Sequence, residues 1–247
     1  ARPEKELLLE TAIEYFNLAK KLNKDDDYSF YERGKAKLKL NDLVNAFIDF
    51  NNAININIKN KDNYNLRIAY LARAEAFEET KQYEKSVIDY TNITNIAPDD
   101  ADAFFNRARI KMLLKKYDES IIDFEHSIKL SSFVKYNALC HIGLAYFKLE
   151  KYRIAFDYYI QAIEFESEST LAYEFRAQSK IELKDYLGSL ADFDKIISIN
   201  DKDGEAYFNR GLVNIILRNF ENGCSDFSKA GELGITEAYN KIANYCK

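Results

Sequence analysis

Arginine and aspartate recur sixteen residues apart at five places in the chain. A guanidinium can give a carboxylate two parallel hydrogen bonds, and each partner removes much of the cost of burying the other's charge. Such pairs can hold two segments of chain together, whereas a column of unmatched arginines could bind an anionic ligand. Because each of these arginines has its aspartate, we interpret the pairs as structural. They are Arg33 with Asp49, Arg73 with Asp89, Arg107 with Asp123, Arg176 with Asp192, and Arg210 with Asp226.

The residue types that most often catalyse reactions or bind metals form no pattern of their own. His126 and His141 are the two histidines, and neither stands at a metal-ligand spacing from a cysteine or a carboxylate. The sequence has no GxSxG nucleophile elbow and no glycine-rich phosphate loop. We therefore predict a protein that is not an enzyme and has no catalytic residue, metal site or cofactor.

Two helices are needed to bring each arginine beside its aspartate. In residues 101–134, apolar and small residues recur with a helical period on both sides of a break at residues 115–118. If the two runs form an antiparallel hairpin, Arg107 and Asp123 lie level across it. Further along, Ile142 and Tyr158 replace both partners together. This joint loss indicates that the pairs form within a hairpin and do not link one hairpin to the next.

Versions of this 34-residue unit recur along nearly the whole chain. Six full units begin near residues 27, 67, 101, 136, 170 and 204, and residues 1–26 resemble half a unit. Six extra residues, 61–66, separate the first unit from the second, and they predict a longer polar loop or an extended start of a helix. A fixed period of this size is typical of a helical solenoid, in which each repeat packs on its neighbours.

Composition agrees with a folded, helical chain. The 247 residues are 47% hydrophobic and 30% charged, and 8 glycines and 2 prolines leave little material for a β-rich fold. The net charge of −5, with both signs interspersed, argues against a nucleic-acid partner, which needs a basic surface. No apolar run is long enough for a transmembrane segment. The location stays open between the cytoplasm and, if a leader was removed, an exported or periplasmic site.

The repeated pattern resembles the tetratricopeptide repeat. Small residues such as Gly34 and Ala46 stand in the middle of the two helices, aromatic residues such as Phe50 flank them, and Pro98 keeps the proline between repeats. The family's tryptophan is replaced throughout. The resemblance implies an all-α fold, a right-handed superhelical solenoid of helix-turn-helix repeats. Its expected parts are an N-terminal half repeat over residues 1–26, six repeats over 27–237 and a C-terminal capping helix over 236–247.

The resemblance also implies a function, because the first helices of such repeats line a concave groove. We expect this groove to bind a protein or peptide partner, with Tyr31, Phe105 and Phe208 at least partly accessible. The alternatives are an accessory module that recognises a small ligand or a polymer, such as cell-wall material or a lipid, and a face whose aromatics only thicken the core. The oligomeric state stays open. The residues assigned to the groove are Tyr28, Tyr31, Lys35, Leu71, Phe105, Arg109, Met112, Phe147, Phe208 and Leu212.

Two cysteines near the C-terminus stand where they could meet. A hairpin that turns near Gly234 brings Cys224 and Cys246 level with each other, which leaves either a disulfide or two buried thiols. Thr236 can cap the last helix, residues 237–246. The residues expected to cover the end of the stack are Ala238, Ile242 and Tyr245.

Overall fold

The helical periods of the sequence are realised as fourteen α-helices in a computed structural model, which describes residues 2–246 without the side chains of Arg2, Pro3 and Lys5. No strand occurs among the described residues, so the predicted all-α fold is confirmed. The helices are α1 (Arg2–Leu22), α2 (Asp27–Lys39), α3 (Leu43–Asn60), α4 (Asn63–Glu79), α5 (Tyr83–Ile96), α6 (Ala101–Leu113), α7 (Tyr117–Leu130), α8 (Lys135–Lys148), α9 (Tyr152–Phe165), α10 (Thr170–Glu182), α11 (Tyr186–Ile199), α12 (Gly204–Ile216), α13 (Phe220–Glu232) and α14 (Glu237–Tyr245).

The helices form two compact units. In unit 1, which holds α1–α7, α1 packs on α2 and is followed by the pairs α2–α3, α4–α5 and α6–α7. In unit 2, which holds α8–α14, the pairs are α8–α9, α10–α11 and α12–α13, and α14 packs on α13. Within each unit every pair also packs on the next, as α3 does on α4 and α11 on α12. This order of contacts is that of a helical repeat.

Aspartate side chains mark the starts of many helices. The carboxylate of the residue before the helix accepts a hydrogen bond from the backbone N–H three residues later, and so satisfies a donor that the helix leaves unpaired. The capping residues are Asp26, Asp42, Asp62, Asp100, Asp185 and Asp203.

The turn inside each pair depends on one residue in the left-handed backbone conformation. In the first pair, Asn41 N–H donates to the Leu38 carbonyl and Asp42 N–H to the Lys37 carbonyl, both at 2.9 Å, which is the bonding of a Schellman turn. None of the six left-handed residues is a glycine, and their φ angles lie between 58° and 63°. They are Asn41, Lys81, Lys115, Glu150, Lys184 and Arg218.

Each pair packs closely because a small residue on the first helix faces an aromatic ring on the second. A Cβ added at Gly34 would lie 2.8 Å from the Phe50 ring, so a larger residue there would push the two helices apart. Alanine or glycine stands at the same place in every pair. The aromatic residues at the matching position of the second helices are almost fully buried: Phe50, Tyr90, Phe124, Tyr159, Phe193 and Phe227.

The six extra residues after the first pair lengthen two helices and form no long loop. Helix α3 has 18 residues and α4 has 17, whereas the third pair has 14 and 13 in the same places. The turn between α3 and α4 is made at Lys61, a further left-handed residue with φ of 57°. Of the two expectations for this insertion, the extended helix start is therefore correct.

The C-terminal end has the turn at Gly234 and, of the two alternatives for the cysteines, the disulfide. It departs from expectation at Thr236 and Tyr245. Gly234, with φ of 100°, makes the turn before α14, and Cys224 and Cys246 form a disulfide with their Cα atoms 5.7 Å apart. The Thr236 side chain makes no capping hydrogen bond, because its own backbone is already helical. Tyr245 is exposed, and only Ala238, Ile242 and Cys246 of this segment pack on the core cluster around Phe227.

Candidate partner-binding face

We call the contact between the two helices of a pair the seam, and five of the six seams hold an arginine–aspartate ion pair. In each, the arginine donates from Nε and Nη2 to the two carboxylate oxygens of the aspartate, over 2.5–3.0 Å. The aspartate side chains are no more than 6% exposed. This geometry satisfies both charges inside the seam.

A second donor, one helical turn after the arginine, reaches the same aspartate in four of these seams. Lys37, Lys111 and Lys180 donate from Nζ at 2.7–2.9 Å, and the Asn214 amide donates at 3.1 Å. The second pair has Phe77 at this place. There, burial raises the pKa of Asp89, and the hydrogen bonds from Arg73 and Asn92 offset it only in part.

The remaining guanidinium nitrogen, Nη1, connects several arginines to the helix before their own pair. Arg33 donates to Asn17, Arg73 to Asn51, and Arg107 to Thr91 and Thr94. Arg210 donates to Asp194 of the preceding pair at 2.6 Å. The five predicted pairs form within single repeats, and among the described residues none of their aspartates bonds the arginine of the next repeat. Asp194 belongs to none of these pairs, and its contact is possible because Asp226 leaves Nη1 of Arg210 unused.

The fourth seam is apolar and aromatic. Ile142, which replaces the arginine, is fully buried, and Tyr158, which replaces the aspartate, stacks on Tyr146 with ring centroids 5.5 Å apart. The fold therefore accepts a seam without an ion pair.

The first helices of the pairs present side chains at intervals of three and four residues, and we call this surface the first-helix face. Most of the residues assigned to the predicted groove are accessible there. Tyr28 is exposed at 62%, and the half-buried ones are Tyr31, Lys35, Leu71, Phe105, Arg109, Met112, Phe147 and Leu212.

Phe208 is a correction to this prediction. It is only 7% exposed and packs with Phe227, Ala230 and Ala238. Helix α14 supplies Ala238 and so covers the place where Phe208 would otherwise reach the surface. Phe208 is therefore a core residue and is not available to a partner.

In unit 1 the middle of the first-helix face is charged. Arg109 on α6 donates from both terminal nitrogens to the two carboxylate oxygens of Glu78 on α4, at 2.5 and 2.7 Å. Lys35 on α2 pairs with Glu32 at 3.2 Å and lies over the ring of Tyr31. Both cations named in the predicted groove thus already have partners within unit 1.

An open cavity of about 440 Å³ lies beside this charged row, and we call it the unit 1 groove. Loss of hydration, and then the charges of Glu78 and Glu79, raise the pKa of Glu75 in its wall, while Lys35 lowers it. Side chains from two successive repeats line the groove: Glu75, Glu78, Glu79, Lys81, Tyr83, Tyr90, Asn106, Arg109 and Leu113. Of these residues, Arg109 is among those that the sequence analysis assigned to the predicted groove.

In unit 2 the same positions are mainly apolar. Unit 1 has Lys35, Glu75 and Arg109 at these positions. Unit 2 has Leu144, Gln178 and Leu212 there, and these three side chains are half-buried. One turn later come Phe147, Ile181 and Ile215, which are also half-buried. Among the described residues, no group of three or more histidine, cysteine, aspartate or glutamate side chains could hold a metal ion.

Comparison with known proteins agrees with this arrangement of helix pairs. Residues 101–133 and 136–168 each match the family model of the tetratricopeptide repeat. The C-terminal part of a repeat-containing protein of that family from Cytophaga hutchinsonii superposes with a TM-score of 0.77 at 15% identity, over 97% of this chain and 98% of that one. Residues 101–168 thus match two tetratricopeptide repeats, and the chain has the fold of solved tetratricopeptide repeat proteins.

Other solved members of the family have the same fold. A tetratricopeptide repeat protein from Parabacteroides merdae gives a TM-score of 0.62 at 18% identity, over 97% of this chain and 93% of that one. YrrB, described as a tetratricopeptide repeat protein with an unusual peptide-binding site, gives 0.61 at 17% identity, over 77% of this chain and 98% of that one. No curated protein sequence matches the chain.

The tetratricopeptide repeat is in general a non-catalytic module that binds proteins or peptides, and this chain has the fold of such a scaffold. Within the described residues, no helix has both the length and the apolar character needed to cross a bilayer.

Proposed function

We propose that this protein binds a peptide segment of a partner protein along its first-helix face. The observation that supports this most is the unit 1 groove, which is open, encloses about 440 Å³ and is lined by two successive repeats. Grooves of this kind suit extended or helical peptides, because a few pockets take side chains while the rim binds polar groups.

The seams are a poor alternative site. Their arginines and aspartates already bind each other inside the fold, so an anionic ligand would have to displace an internal carboxylate. The apolar side chains of the first-helix face have no such constraint. Its half-buried apolar side chains, such as Phe105 and Met112, gain contact area when a partner covers them.

YrrB supports the same proposal as a structural relative, since a peptide-binding site is named for it. The character of the first-helix face differs between the two units. Unit 2 offers apolar contacts through Leu144, Phe147 and Leu212, and unit 1 combines apolar contacts with charge. We propose partners that carry apolar anchor residues.

The test is selection of a library of random peptides on the immobilised protein, followed by titration of the selected peptides. Replacing Phe105 by alanine should weaken binding by about 30-fold, the equivalent of about 2 kcal/mol for an anchor at an interface. The matched control is Phe133→Ala, which removes the same ring from a site that is 95% exposed and lies off the first-helix face. Failure to select any peptide, or equal affinity for both variants, would contradict the proposal.

A further inference from the structure

We propose that the unit 1 groove binds a cationic side chain of the partner, a lysine or an arginine, against the carboxylates of Glu75 and Glu79. This inference rests on the proposed function and makes it more specific. Two observations support it: the excess of carboxylates over cations in the groove, and the side chain of Tyr90 in its wall.

The charges in the groove are not balanced. Its lining holds three carboxylates and two cations, and one of those cations, Arg109, is fully engaged by Glu78 through both terminal nitrogens. No ion pair among the described residues involves Glu75 or Glu79, and the other cation, Lys81, lies at the turn that follows α4. The groove therefore offers two acidic groups for which unit 1 provides no direct partner.

Tyr90 is an independent sign of a ligand. Its side chain is only 1% exposed and lines the groove, yet no hydrogen bond to its hydroxyl is found among the described residues. Burial, together with the charges of Glu78 and Glu75, raises the pKa of Tyr90, while Arg109 lowers it. The Tyr90 ring lines the same cavity as Glu75 and Glu78. An ammonium or guanidinium N–H of a ligand in the groove could donate to this hydroxyl, whose oxygen can accept.

The aromatic lining favours the same class of ligand. Tyr83 also lines the groove, and a desolvated cation is attracted to the face of a phenol ring. An anionic side chain would meet Glu75 and Glu79 instead, and would have to compete with Glu78 for Arg109. Carboxylates combined with tyrosines thus select a cation.

Glu75 should make the interaction dependent on pH. Its pKa is raised by loss of hydration and by Glu78 and Glu79 on the same helix, with Lys35 on α2 acting in the opposite direction. A bound cation stabilises the ionised form. Lowering the pH through the raised pKa of Glu75 protonates this carboxyl and should weaken the complex, so affinity should rise with pH across that range.

The test uses the peptides selected on the whole protein. We expect them to share a lysine or arginine, and we expect replacement of that residue by glutamine to weaken binding about tenfold. The same peptide change should have little effect on the Glu75→Gln protein. Glu84→Gln, an exposed site outside the groove, is the matched control and should behave like the unchanged protein. Thermal denaturation of each variant checks that it is folded.

Two outcomes separate this inference from the proposed function. Peptides that bind through Phe105 but show no preference for lysine or arginine would overturn the cation site and leave the peptide-binding function intact. Binding that does not depend on Phe105 would overturn the peptide-binding face, and the cation site with it. A cation preference that survives unchanged in Glu75→Gln would also overturn the assignment of this groove.

Discussion

The seam and the first-helix face use the same residue types for different purposes. Arg107 and Asp123 form a two-pronged ion pair in a seam through Nε and Nη2, and Arg109 and Glu78 form one on the face through Nη1 and Nη2. The seam pair is 14% and 5% exposed, whereas the face pair is 33% and 25% exposed. A buried pair stabilises the fold, because water cannot hydrate the charge that remains when one partner is removed. A pair on the face leaves its groups available to a ligand.

The two surfaces also differ in how they vary along the chain. Five seams repeat the same arginine–aspartate ion pair. In the fourth seam both partners are replaced together. The first-helix face changes from pair to pair, from charged residues in unit 1 to mainly apolar ones in unit 2. The repeated positions are those that folding requires, and the changing positions are those that can distinguish partners.

Breaking a seam should have the largest effect. Asp123→Ala leaves the cations of Arg107 and Lys111 buried together, and should lower the free energy of unfolding by about 3 to 5 kcal/mol, measured by urea denaturation. Asp118→Ala, an exposed change in the first turn of the same helix, should stay within about 0.5 kcal/mol. A double variant, Arg107→Met with Asp123→Leu, should be less damaging than the single one. Equal loss in both would show that the pair is not the cause.

Reduction of the disulfide should come next in size. The bond between Cys224 and Cys246 closes a separation of 22 residues, and in the chain-entropy view such a loop contributes about 3 kcal/mol. Thermal denaturation with and without a reducing agent should show a lower melting temperature in the reduced protein, and amide exchange should accelerate in α14. Cys140→Ala, a change at the free cysteine, should leave this response to reductant in place. A melting temperature that is unchanged by the reducing agent would contradict the prediction.

Breaking the ion pair on the face should affect folding far less than breaking the one in the seam. Glu78→Ala removes the partner of Arg109 at a site that water already reaches, so the free energy of unfolding should fall by less than about 1 kcal/mol. Urea denaturation alongside Asp123→Ala makes the comparison direct. Similar losses in the two variants would mean that seam and face do not differ in the way described.

The smallest effect concerns the one ion-pair seam in which Phe77 replaces the second donor. The folded-state pKa of Asp89 is raised by burial, so its contribution to stability is present at acid pH and is lost as the pH rises through that raised pKa. Phe77→Lys supplies the cation found in three other seams and should therefore lower the pKa of Asp89. NMR titration of the Asp89 carboxyl group measures this change. Phe77→Leu removes the ring without adding charge and serves as the control. An unchanged pKa in the lysine variant would contradict this reading.

Helix pairs and seam partners could be predicted because both are encoded at fixed, short spacings within one repeat. The second donors were not predicted although Lys111 stands one helical turn after Arg107, because this place is not occupied by one residue type: it holds lysine, asparagine or Phe77. The break at residues 115–118 located the turn, but the residues that adopt the left-handed conformation in the turns were not predicted. Their left-handed residues include Lys115 and Glu150, which carry none of the glycine signal that usually marks such a turn.

Features of the face that depend on packing between repeats could not be read from single repeats. Arg109 and Glu78 are 31 residues apart and belong to different repeats, so no spacing inside one unit predicts their contact. Phe208 occupies the same repeat position as Phe105, but α14 covers it. Periodicity assigned both residues to the surface, and only the packing of the last helix distinguishes them.

The proposed function requires that a partner lies on the first-helix face. A selected peptide that carries a terminal spin label should broaden the methyl NMR signals of Leu71 and Met112 on that face. It should spare those of Ile48, Ile88 and Ile122, which are 50–66% exposed on the second helices. Broadening of the isoleucine signals, with the leucine and methionine signals unchanged, would place the partner on the other surface and contradict the account.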